Sequence, residues 1–398
     1  MILPEDFAAH QSQQDVVVRP VTTRKELALF IRLPRKLYRH MKGYVAPLDL
    51  EQKDLIDPGK NPVFRHASIR FFIAWRGSEP CGRIAAIVDP IAIKTWNEKI
   101  GLFGAFDAAP QADIVSALLD AARDWLRLQG MARMRGPVTL SCHGESGLMI
   151  EGQDEPPMIA TPWHPKALFP LVEAYGLSKV QDLLTYRLVF DESTDARHIV
   201  PQTLRPGEGR LGDISTLRLS KKEIAAQGEV LRELYNDGWA GTFNFVPLQS
   251  YEMTAMINQL KPLLRPEHYV QINQGNNPVA MAMVVPNVFD IVSDLGGAPS
   301  PLGWLKLGAR LVRHQFRTGR VILLGVSQQM RGTVLGALMP SLAIAELLSR
   351  RDALPYDAVE LGWILESNMP MRNLVERLVP TPNKVHRLYE GAISPNAA

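Results

Sequence analysis

The chain has 398 residues, of which 46% are hydrophobic and 21% are charged. At about 100–200 residues per domain, this length predicts two domains, each large enough to bury its own core. The 44 basic and 41 acidic residues leave a net charge of +3, which argues against a disordered polyelectrolyte and against a nucleic-acid-binding protein. Cys81 and Cys142 cannot form a disulfide framework, so we expect a reduced, cytoplasmic protein.

The ends and apolar runs of the chain give no sign of a membrane span. Residues Met1 to Asp15 are acidic and polar and lack the apolar stretch of a secretory signal. The longest apolar runs, Val279–Val285 and Val321–Val326, are well short of the roughly 18 residues that cross a bilayer. We therefore expect at most contact with a membrane surface.

The predicted elements of the first half follow a simple order. Two apolar runs, Ile69–Trp75 and Arg83–Val88, flank a turn containing Gly and Pro and are typical of a β-hairpin. A strand at Leu102–Phe106 comes next, and Ala112–Gln129 carries apolar residues at helical spacing. A glycine ends this helix, and residues 134–138 predict a short strand.

The second half repeats this order. A hairpin, a strand, a helix and a strand are predicted again, followed by a further helix and a last strand. These elements are Tyr269–Asn273 with Val279–Val285, Val321–Val326, Thr333–Arg350, Ala358–Leu365, Asn368–Leu378 and Lys384–Glu390. Hairpins that alternate with strand–helix–strand units predict an α/β (α+β) fold with mixed sheets, built from two tandem copies.

The segment between the copies is the best candidate for a linker. Asp191–Gly212 is rich in polar residues and holds two prolines and three glycines. We therefore predict an N-terminal domain over 1–195, a linker over 196–212 and a C-terminal domain over 213–398.

A phosphate-binding turn is predicted in the second half, within LLGVSQQMRGTVLGA (323–337). A buried strand ends near Val326, and a polar loop with Arg331 and Gly332 leads into a helix. The first turn of a helix offers unpaired backbone N–H groups and a positive dipole end to a pyrophosphate. Gly332 and Gly336 permit close approach of a ligand, and Arg331 can add a charge-assisted contact. The same pattern is also typical of an ordinary strand–loop–helix with glycines at a tight turn.

This turn resembles the acyl-CoA loop of the GCN5-related N-acetyltransferase (GNAT) superfamily, in which Arg or Gln precedes two residues, Gly, one residue, and Gly or Ala. Arg331 and Gly336 match this pattern, whereas Val334 replaces the middle glycine. The resemblance implies tandem GNAT-like domains and acyl-CoA as the co-substrate. The contacts that it implies are Gly325, Val326, Arg331, Gly332, Thr333, Gly336 and Ala337, with Asn368 after the next strand.

Further segments resemble a subgroup of large bacterial relatives of these acyltransferases, to which bacterial ceramide synthases are similar. These segments are Arg135-Gly136-Pro137, Gly147–Gly152 with Pro156-Pro157, Tyr235–Trp239 with Phe245–Leu248, and Trp363–Asn368. The resemblance covers most of the chain, from Val18 to Glu390. It implies transfer of an acyl group from CoA to a primary amine, with a long-chain sphingoid amine as the narrower possibility.

Such a transfer needs a base for the amine, donors for the oxyanion and a proton for the leaving thiolate. Strand alternation puts Glu360 and, one step further on, Glu366 on one face, so either carboxylate is a candidate base. Backbone N–H groups near Gly325 and Val326 are candidate oxyanion donors. The resemblance implies that Tyr389 protonates the thiolate. The alternatives are solvated or ion-paired strand-end carboxylates and a half-buried strand tyrosine.

The corresponding turn of the first half predicts no cofactor site. Asp107–Asp113 has no glycine or arginine and carries two carboxylates, which repel phosphates. Acidic residues at this point also cap a helix and complement its dipole. We therefore place the cofactor in the second half and expect the first half to form a wall of the acceptor pocket. In the second half, Asn368 is a good N-cap as well as a candidate contact.

Other chemical patterns are weak. The nine histidines show no metal-ligand spacing, so we predict no metal site. Ser141–Ser146 lacks the Gly-x-Ser-x-Gly elbow of a serine hydrolase and is instead expected to line the acceptor pocket.

Basic residues recur at helical spacing among apolar ones in 29–42 and again in 305–317. In the second stretch they are Lys306, Arg310, Arg313 and Arg317. Such helices either lie on an anionic membrane or present a solvated face of a packed helix. The expected partners are a small-molecule or lipid amine, no nucleic acid, and peripherally an anionic membrane. The rival hypotheses are a non-catalytic acyl-CoA or lipid-binding protein and a tRNA-dependent aminoacyl transferase.

Overall fold

The computed structural model describes residues 15–190, 213–350, 353–354 and 356–393. The predicted linker (196–212) lies outside these residues, as does all but Asp15 of the N-terminal segment that lacks a secretory signal. We call 15–190 the first half and 213–393 the second half. Across the described ranges, every helix is too short or too polar to cross a bilayer.

Thirteen strands of the described residues are assigned to one mixed sheet. In chain order they are β1 Val16–Pro20, β2 Ser68–Arg76, β3 Glu79–Val88, β4 Ile100–Ala108, β5 Arg133–Gly136, β6 Leu148–Glu151, β7 Ser178–Val189, β8 Ile214–Leu217, β9 Tyr269–Gln274, β10 Asn277–Pro286, β11 Thr318–Val326, β12 Ala358–Leu365 and β13 Lys384–Ala392.

The α-helices of the same residues cover both faces of the sheet. They are α1 Arg24–Tyr38, α2 Asp49–Ile56, α3 Pro90–Trp96, α4 Ala112–Leu128, α5 Leu168–Ala174, α6 Lys221–Ala226, α7 Gly228–Trp239, α8 Ser250–Leu260, α9 Phe289–Val292, α10 Pro301–Val312, α11 Val334–Ser349 and α12 Met369–Val375.

The predicted repeat and the mixed α/β architecture are confirmed. The series β2–β3–β4–α4–β5 recurs as β9–β10–β11–α11–β12, in each case an antiparallel hairpin followed by a parallel strand pair joined by a helix. The core follows the period-two alternation of strands. Ala280 and Ala282 of β10 pack in the core with α11, whereas Met281 and Met283 pack with α7 and α8 on the opposite face.

The parallel strands of each half separate after a few paired residues. In the first half, pairing of β4 with β5 ends at Leu102 and Arg135, and in the second half pairing of β11 with β12 ends at Val321 and Leu361. A shift of register near each divergence, at Ala105 and at Ile322, marks a β-bulge, which bends its strand. We call the resulting openings the first gap and the second gap.

The centre of the sheet is made by exchanged strands. Its order there is β5-β13-β7-β12, so β13 from the end of the second half lies beside β5, and β7 from the end of the first half lies beside β12. Each half is therefore completed by the last strand of the other half.

Candidate active site

The second gap is open along its edge. Residues of β11 are buried as far as Val321, but Ile322, Leu324 and Val326 are half-buried, and across the gap so is Trp363. In the first gap, β4 stays buried to its last residue except at Ala105. The strand along the second gap is therefore more exposed than its counterpart in the first gap.

One backbone donor points into the second gap. The Ser327 N–H donates to the Val279 carbonyl oxygen (2.8 Å), so Ser327 faces β10. Successive residues of an antiparallel strand direct their N–H groups to opposite sides. The Val326 N–H is therefore turned away from β10 and towards the gap, whereas that of Gly325 is turned towards β10. Of the two predicted oxyanion donors, Val326 alone turns its N–H towards the gap.

The same position in the first half is plugged by a tyrosine. The Ala109 N–H donates to the Cys81 carbonyl oxygen (2.8 Å), which makes Ala108 the counterpart of Val326. The fully buried Tyr38 hydroxyl accepts from the Ala108 N–H (2.9 Å) and donates to the Ala108 carbonyl oxygen (3.2 Å). No signal in the sequence identified Tyr38 as the residue that closes the first gap.

The two carboxylates of the first-half turn are neutralised by arginines. Asp107 accepts a hydrogen bond from Arg83 Nε (2.8 Å), and both side chains are buried. Asp113, in the first turn of α4, forms an ion pair with Arg76. These ion pairs remove the repulsion of phosphate that the sequence predicted, and Tyr38 occupies the backbone donor of Ala108.

The second-half turn is exposed at the start of α11. Arg331, Gly332, Thr333 and Val334 are all exposed. The Thr333 hydroxyl accepts from the Gly336 N–H (2.9 Å) and so caps the helix. Among the described residues, no protein acceptor contacts the N–H groups of Gly332, Val334 and Leu335. These three donors and the positive end of a 16-residue helix suit an anion.

The backbone of the turn requires glycine at two positions, independently of any ligand. Gly332 has a φ of 75°, which favours glycine. A Cβ on Gly336 would lie 1.8 Å from the Met330 carbonyl oxygen, so the chain of the turn passes directly against the helix. The Ala337 side chain is exposed, and its N–H donates to Thr333 (3.1 Å).

The end of α7 braces this turn. Asp237 accepts a hydrogen bond from the Gln328 N–H (2.7 Å), and the Gly238 carbonyl oxygen accepts one from Arg331 Nη2 (2.6 Å). The Trp239 ring lies over Gly325, where a Cβ would be 2.2 Å from the ring. The sequence singled out Tyr235–Trp239 only through a resemblance. In the structure, this segment holds the Arg331 side chain in place.

Glu360 is at a distance from the turn. It is fully buried on β12, where Lys384 Nζ donates to its Oε1 (2.5 Å) and burial lowers the pKa of Lys384. It is paired in register with Arg320 of β11. Because Arg320 precedes Val326 by six residues, the two levels are about 20 Å apart along the strand. The structure therefore does not bring Glu360 to the Val326 N–H.

The other predicted side chains also have protein partners. Glu366 accepts a hydrogen bond from Lys179 Nζ (2.7 Å) at the surface, and Asn368 accepts one from the Met371 N–H (3.3 Å) as the N-cap of α12. Tyr389 is buried in the core around α4, and its hydroxyl donates to Glu173 Oε1 (3.1 Å). Burial and the Glu173 charge raise the pKa of Tyr389 well above its usual value. Within the described ranges, none of these side chains is hydrogen-bonded to Arg331.

A cleft opens between α1, α2 and the loops that follow β5 and β6. Its walls include Tyr44, Ala105, Glu145, Trp163 and Lys384. Glu145 belongs to the Ser141–Ser146 loop that the sequence analysis expected to line an acceptor pocket. Its carboxylate has no hydrogen-bond partner or ion-pair partner within the described ranges, and burial raises its pKa to about 7. A carboxyl with this pKa can take a proton near neutral pH.

One arginine links the cleft to the second gap. Arg320 Nη1 donates to the Ile159 carbonyl oxygen (2.9 Å), in a segment that forms the cleft wall. Its Nε donates to the Gly362 carbonyl oxygen (3.2 Å), where β11 and β12 have just separated. The Arg320 charge also acts on the Glu145 carboxyl. Arg320 is therefore packed between the wall of the cleft and the closed end of the second gap.

The part of the chain that the structure describes contains no group of three or more His, Cys, Asp or Glu residues that could hold a metal ion.

No protein-family model matches the sequence. Two curated proteins are similar over nearly their whole length. The bacterial ceramide synthase of Caulobacter vibrioides is 32% identical over 381 residues, which cover 95% of this chain and 98% of that protein. Protein YghO of Escherichia coli is 32% identical over 384 residues, covering 95% of both.

Solved structures with this fold are GNAT proteins. A tandem GNAT protein from the clavulanic acid biosynthesis pathway covers 96% of this chain and all of its own, with a TM-score of 0.56 at 11% identity. A GCN5-related N-acetyltransferase from Sphaerobacter thermophilus covers 96% of both chains, with a TM-score of 0.54 at 12% identity. These structures confirm the tandem GNAT fold. The chain belongs to the family of bacterial ceramide synthase and protein YghO, and is an N-acyltransferase of the GNAT fold.

Proposed function

We propose that this protein transfers an acyl group from a CoA thioester to a primary amine, with the CoA bound at the second gap. The observation that carries this proposal is the contrast between the two gaps. The Val326 N–H faces an open gap, whereas its counterpart at Ala108 is satisfied by Tyr38. The second half is therefore equipped to hold the CoA thioester, and the first half supplies most of the walls of the acceptor cleft.

The diphosphate of CoA lies at the Arg331 turn in this arrangement. The unpaired N–H groups of Gly332, Val334 and Leu335 and the Arg331 guanidinium supply donors to it. The pantetheine arm then follows β11 from Val326 into the gap. This direction brings the thioester to the closed end, next to Arg320.

The acceptor amine reaches the thioester from the cleft. Support for a long-chain amine comes from the relative named bacterial ceramide synthase, and the cleft offers apolar walls at Phe30, Tyr44 and Trp163. We assign the base to Glu145, because Glu360 and Glu366 are held in ion pairs with lysines.

The chemistry follows from these positions. The Glu145 carboxylate takes a proton from the ammonium group, and the free amine attacks the thioester carbon. Negative charge develops on the carbonyl oxygen next to the Arg320 guanidinium, which can stabilise it, while the Val326 N–H donates to the pantetheine arm. The C–S bond then breaks, the amide forms, and the thiolate takes the second proton of the amine nitrogen.

The test is incubation of the full chain with palmitoyl-CoA and sphinganine, read by mass spectrometry. We expect one amide and one free CoA thiol per turnover, a strong loss in Arg331→Glu, and no loss in the control Arg70→Glu, an exposed strand arginine of the first half. Binding of acyl-CoA without an amide product for any amine tested would favour a non-catalytic lipid-binding protein. Product formation only from charged tRNA would favour an aminoacyl transferase.

A further inference from the structure

Helix α10 is packed on the outside of the second half, and none of its residues is buried. Four of the ten most exposed large hydrophobic side chains in the described ranges belong to it: Leu302, Trp304, Leu305 and Val312. Three of these are more than 70% exposed. An exposed helix ordinarily turns its apolar stripe inward, so α10 reverses the usual arrangement.

The exposed residues form one continuous stripe. Leu302, Leu305, Ala309 and Val312 recur at intervals of three and four, which places them on one side of a helix. Lys306 and Arg313 flank this stripe along one edge. The sequence of α10 contains no acidic residue.

The opposite side of α10 holds the helix in this orientation. Arg310 donates to the Ile291 carbonyl oxygen (2.8 Å) and to Asp294 Oδ1 (2.6 Å), and Lys306 donates to Asp294 Oδ2 (2.6 Å). Leu307 and Leu311 pack against the second-half core. The apolar stripe therefore faces outward because polar anchors and two leucines fix the inner face.

The loop before α10 is joined to the rim of the cleft. Arg35 Nη1 donates to the Gly296 carbonyl oxygen (3.1 Å), and the Asp49 N–H donates to that of Gly297 (2.7 Å). Arg35 and Asp49 both line the cleft. Next to Asp49, Leu50 is itself a half-exposed large hydrophobic residue. The apolar helix thus lies beside the route into the cleft.

We propose that α10 docks the protein on an anionic lipid bilayer. Leu302, Leu305 and Val312 enter the boundary between head groups and acyl chains, and Arg313 contacts anionic head groups. A second copy of the chain is the less favoured occupant, because two such faces would bring their basic edges together with no acidic partner in α10. Docking places the mouth of the cleft at the lipid surface, where a long-chain substrate resides.

The test is flotation of the full chain with phosphatidylcholine vesicles, with and without phosphatidylglycerol. We expect binding to the anionic vesicles and a loss of about tenfold in Leu305→Ser/Val312→Ser, because the stripe supplies the buried apolar area. Leu128→Ser is the matched control, since Leu128 is as exposed at the end of α4. Arg313→Gln should weaken binding to anionic vesicles alone, and added salt should mimic it.

Two results would overturn the proposal. One is that the wild-type protein fails to float with anionic vesicles, or that the Leu305→Ser/Val312→Ser variant floats with them as well as the wild type does. The other is a dimer, measured by light scattering, that these substitutions dissociate while vesicle binding is absent. Flotation needs no acyl transfer, so its failure leaves the proposed function to be judged by its own assay.

Discussion

Glu145 is half-buried, its carboxylate lacks a protein partner among the described residues, and it lies in the cleft wall. Because burial raises its pKa to about 7, the carboxyl is mostly protonated at pH 6 and mostly charged at pH 8. We predict that kcat rises with pH through this range and that Glu145→Gln abolishes the rise and lowers kcat by about 10²-fold or more. The measurement is the pH profile of amide formation. An unchanged profile in the variant would remove Glu145 from the mechanism.

Stability provides a second readout for the same residue. A carboxyl whose folded pKa is raised binds its proton more tightly in the folded state, so stability falls as pH rises from about 4.5 towards about 7. Glu145→Gln should therefore be more stable than wild type at pH 8, by about 1–3 kcal/mol. Chemical denaturation at pH 5 and pH 8 checks the sign, because the difference should shrink at the lower pH.

The Lys384–Glu360 ion pair contributes to the stability of the fold. Both side chains are almost completely buried, so removal of one partner leaves an uncompensated charge. We predict that Lys384→Met lowers the free energy of unfolding by about 3–5 kcal/mol. The double variant Lys384→Met/Glu360→Gln should recover much of this loss in urea denaturation. Equal losses in the single and double variants would contradict the argument.

The sequence predicts the environment of a residue when its neighbours are close in the chain, but not when its partners are distant in sequence. Arg331, Gly332 and Thr333 could be placed at an exposed helix start because strand, loop and helix are contiguous. Strand alternation predicts which face of β12 carries Glu360. It could not predict that Lys384 is the partner of Glu360, because Lys384 lies on a different strand. Tyr38 closes the first gap from a helix 70 residues before Ala108, a contact that no local pattern encodes.

At the scale of elements, the turn depends on a close approach between Gly336 and Met330. A Cβ at residue 336 would collide with the Met330 carbonyl oxygen, so Gly336→Ala should displace the turn. We predict a loss of about 1–3 kcal/mol in stability and weaker CoA binding.

The matched control for this substitution is Gly308→Ala in α10. Nothing lies within 4 Å of a Cβ at Gly308, and its helix is exposed, so alanine should stabilise by up to about 1 kcal/mol. Thermal unfolding of both variants tests the opposite signs. A neutral Gly336→Ala would show that the turn adapts without cost.

Elements with strong local periodicity were predicted within a few residues of their observed bounds. The hairpins, α4, α11 and β12 are of this kind, because their periods of two or 3.6 are visible in one window. The strands β6 and β8 have four residues each, too few to show a period. The position of β13 beside β5 depends on pairing across the two halves, which the sequence of β13 does not express.

At the scale of the whole molecule, the exchanged strands tie the two halves together. A first half made alone would lack β13 beside β5, and a second half alone would lack β7 beside β12. We predict that residues 15–190 and 213–393, produced separately, do not unfold cooperatively, whereas the two mixed together regain a cooperative transition. Circular dichroism during urea denaturation is the measurement. Cooperative unfolding of either half alone would show that the exchange is dispensable.

The tandem architecture could be predicted because the order of elements repeats, whereas the exchange between copies could not. The division of labour was predicted from the Asp107–Asp113 turn, on the argument that its carboxylates repel phosphate. In the structure Arg83 and Arg76 neutralise both carboxylates and Tyr38 occupies the Ala108 N–H, so the repulsion argument does not hold, and the placement of CoA in the second half stays a prediction.

The central claim is that the Arg331 turn of the second half holds the diphosphate of CoA. Calorimetric titration of the full chain with CoA tests it most directly. We predict one site per chain, an affinity for CoA lowered at least about tenfold by Arg331→Glu, and an unchanged affinity in Arg70→Glu. A wild-type chain that binds no CoA, or an Arg331→Glu variant that binds it as tightly as wild type, would contradict the claim.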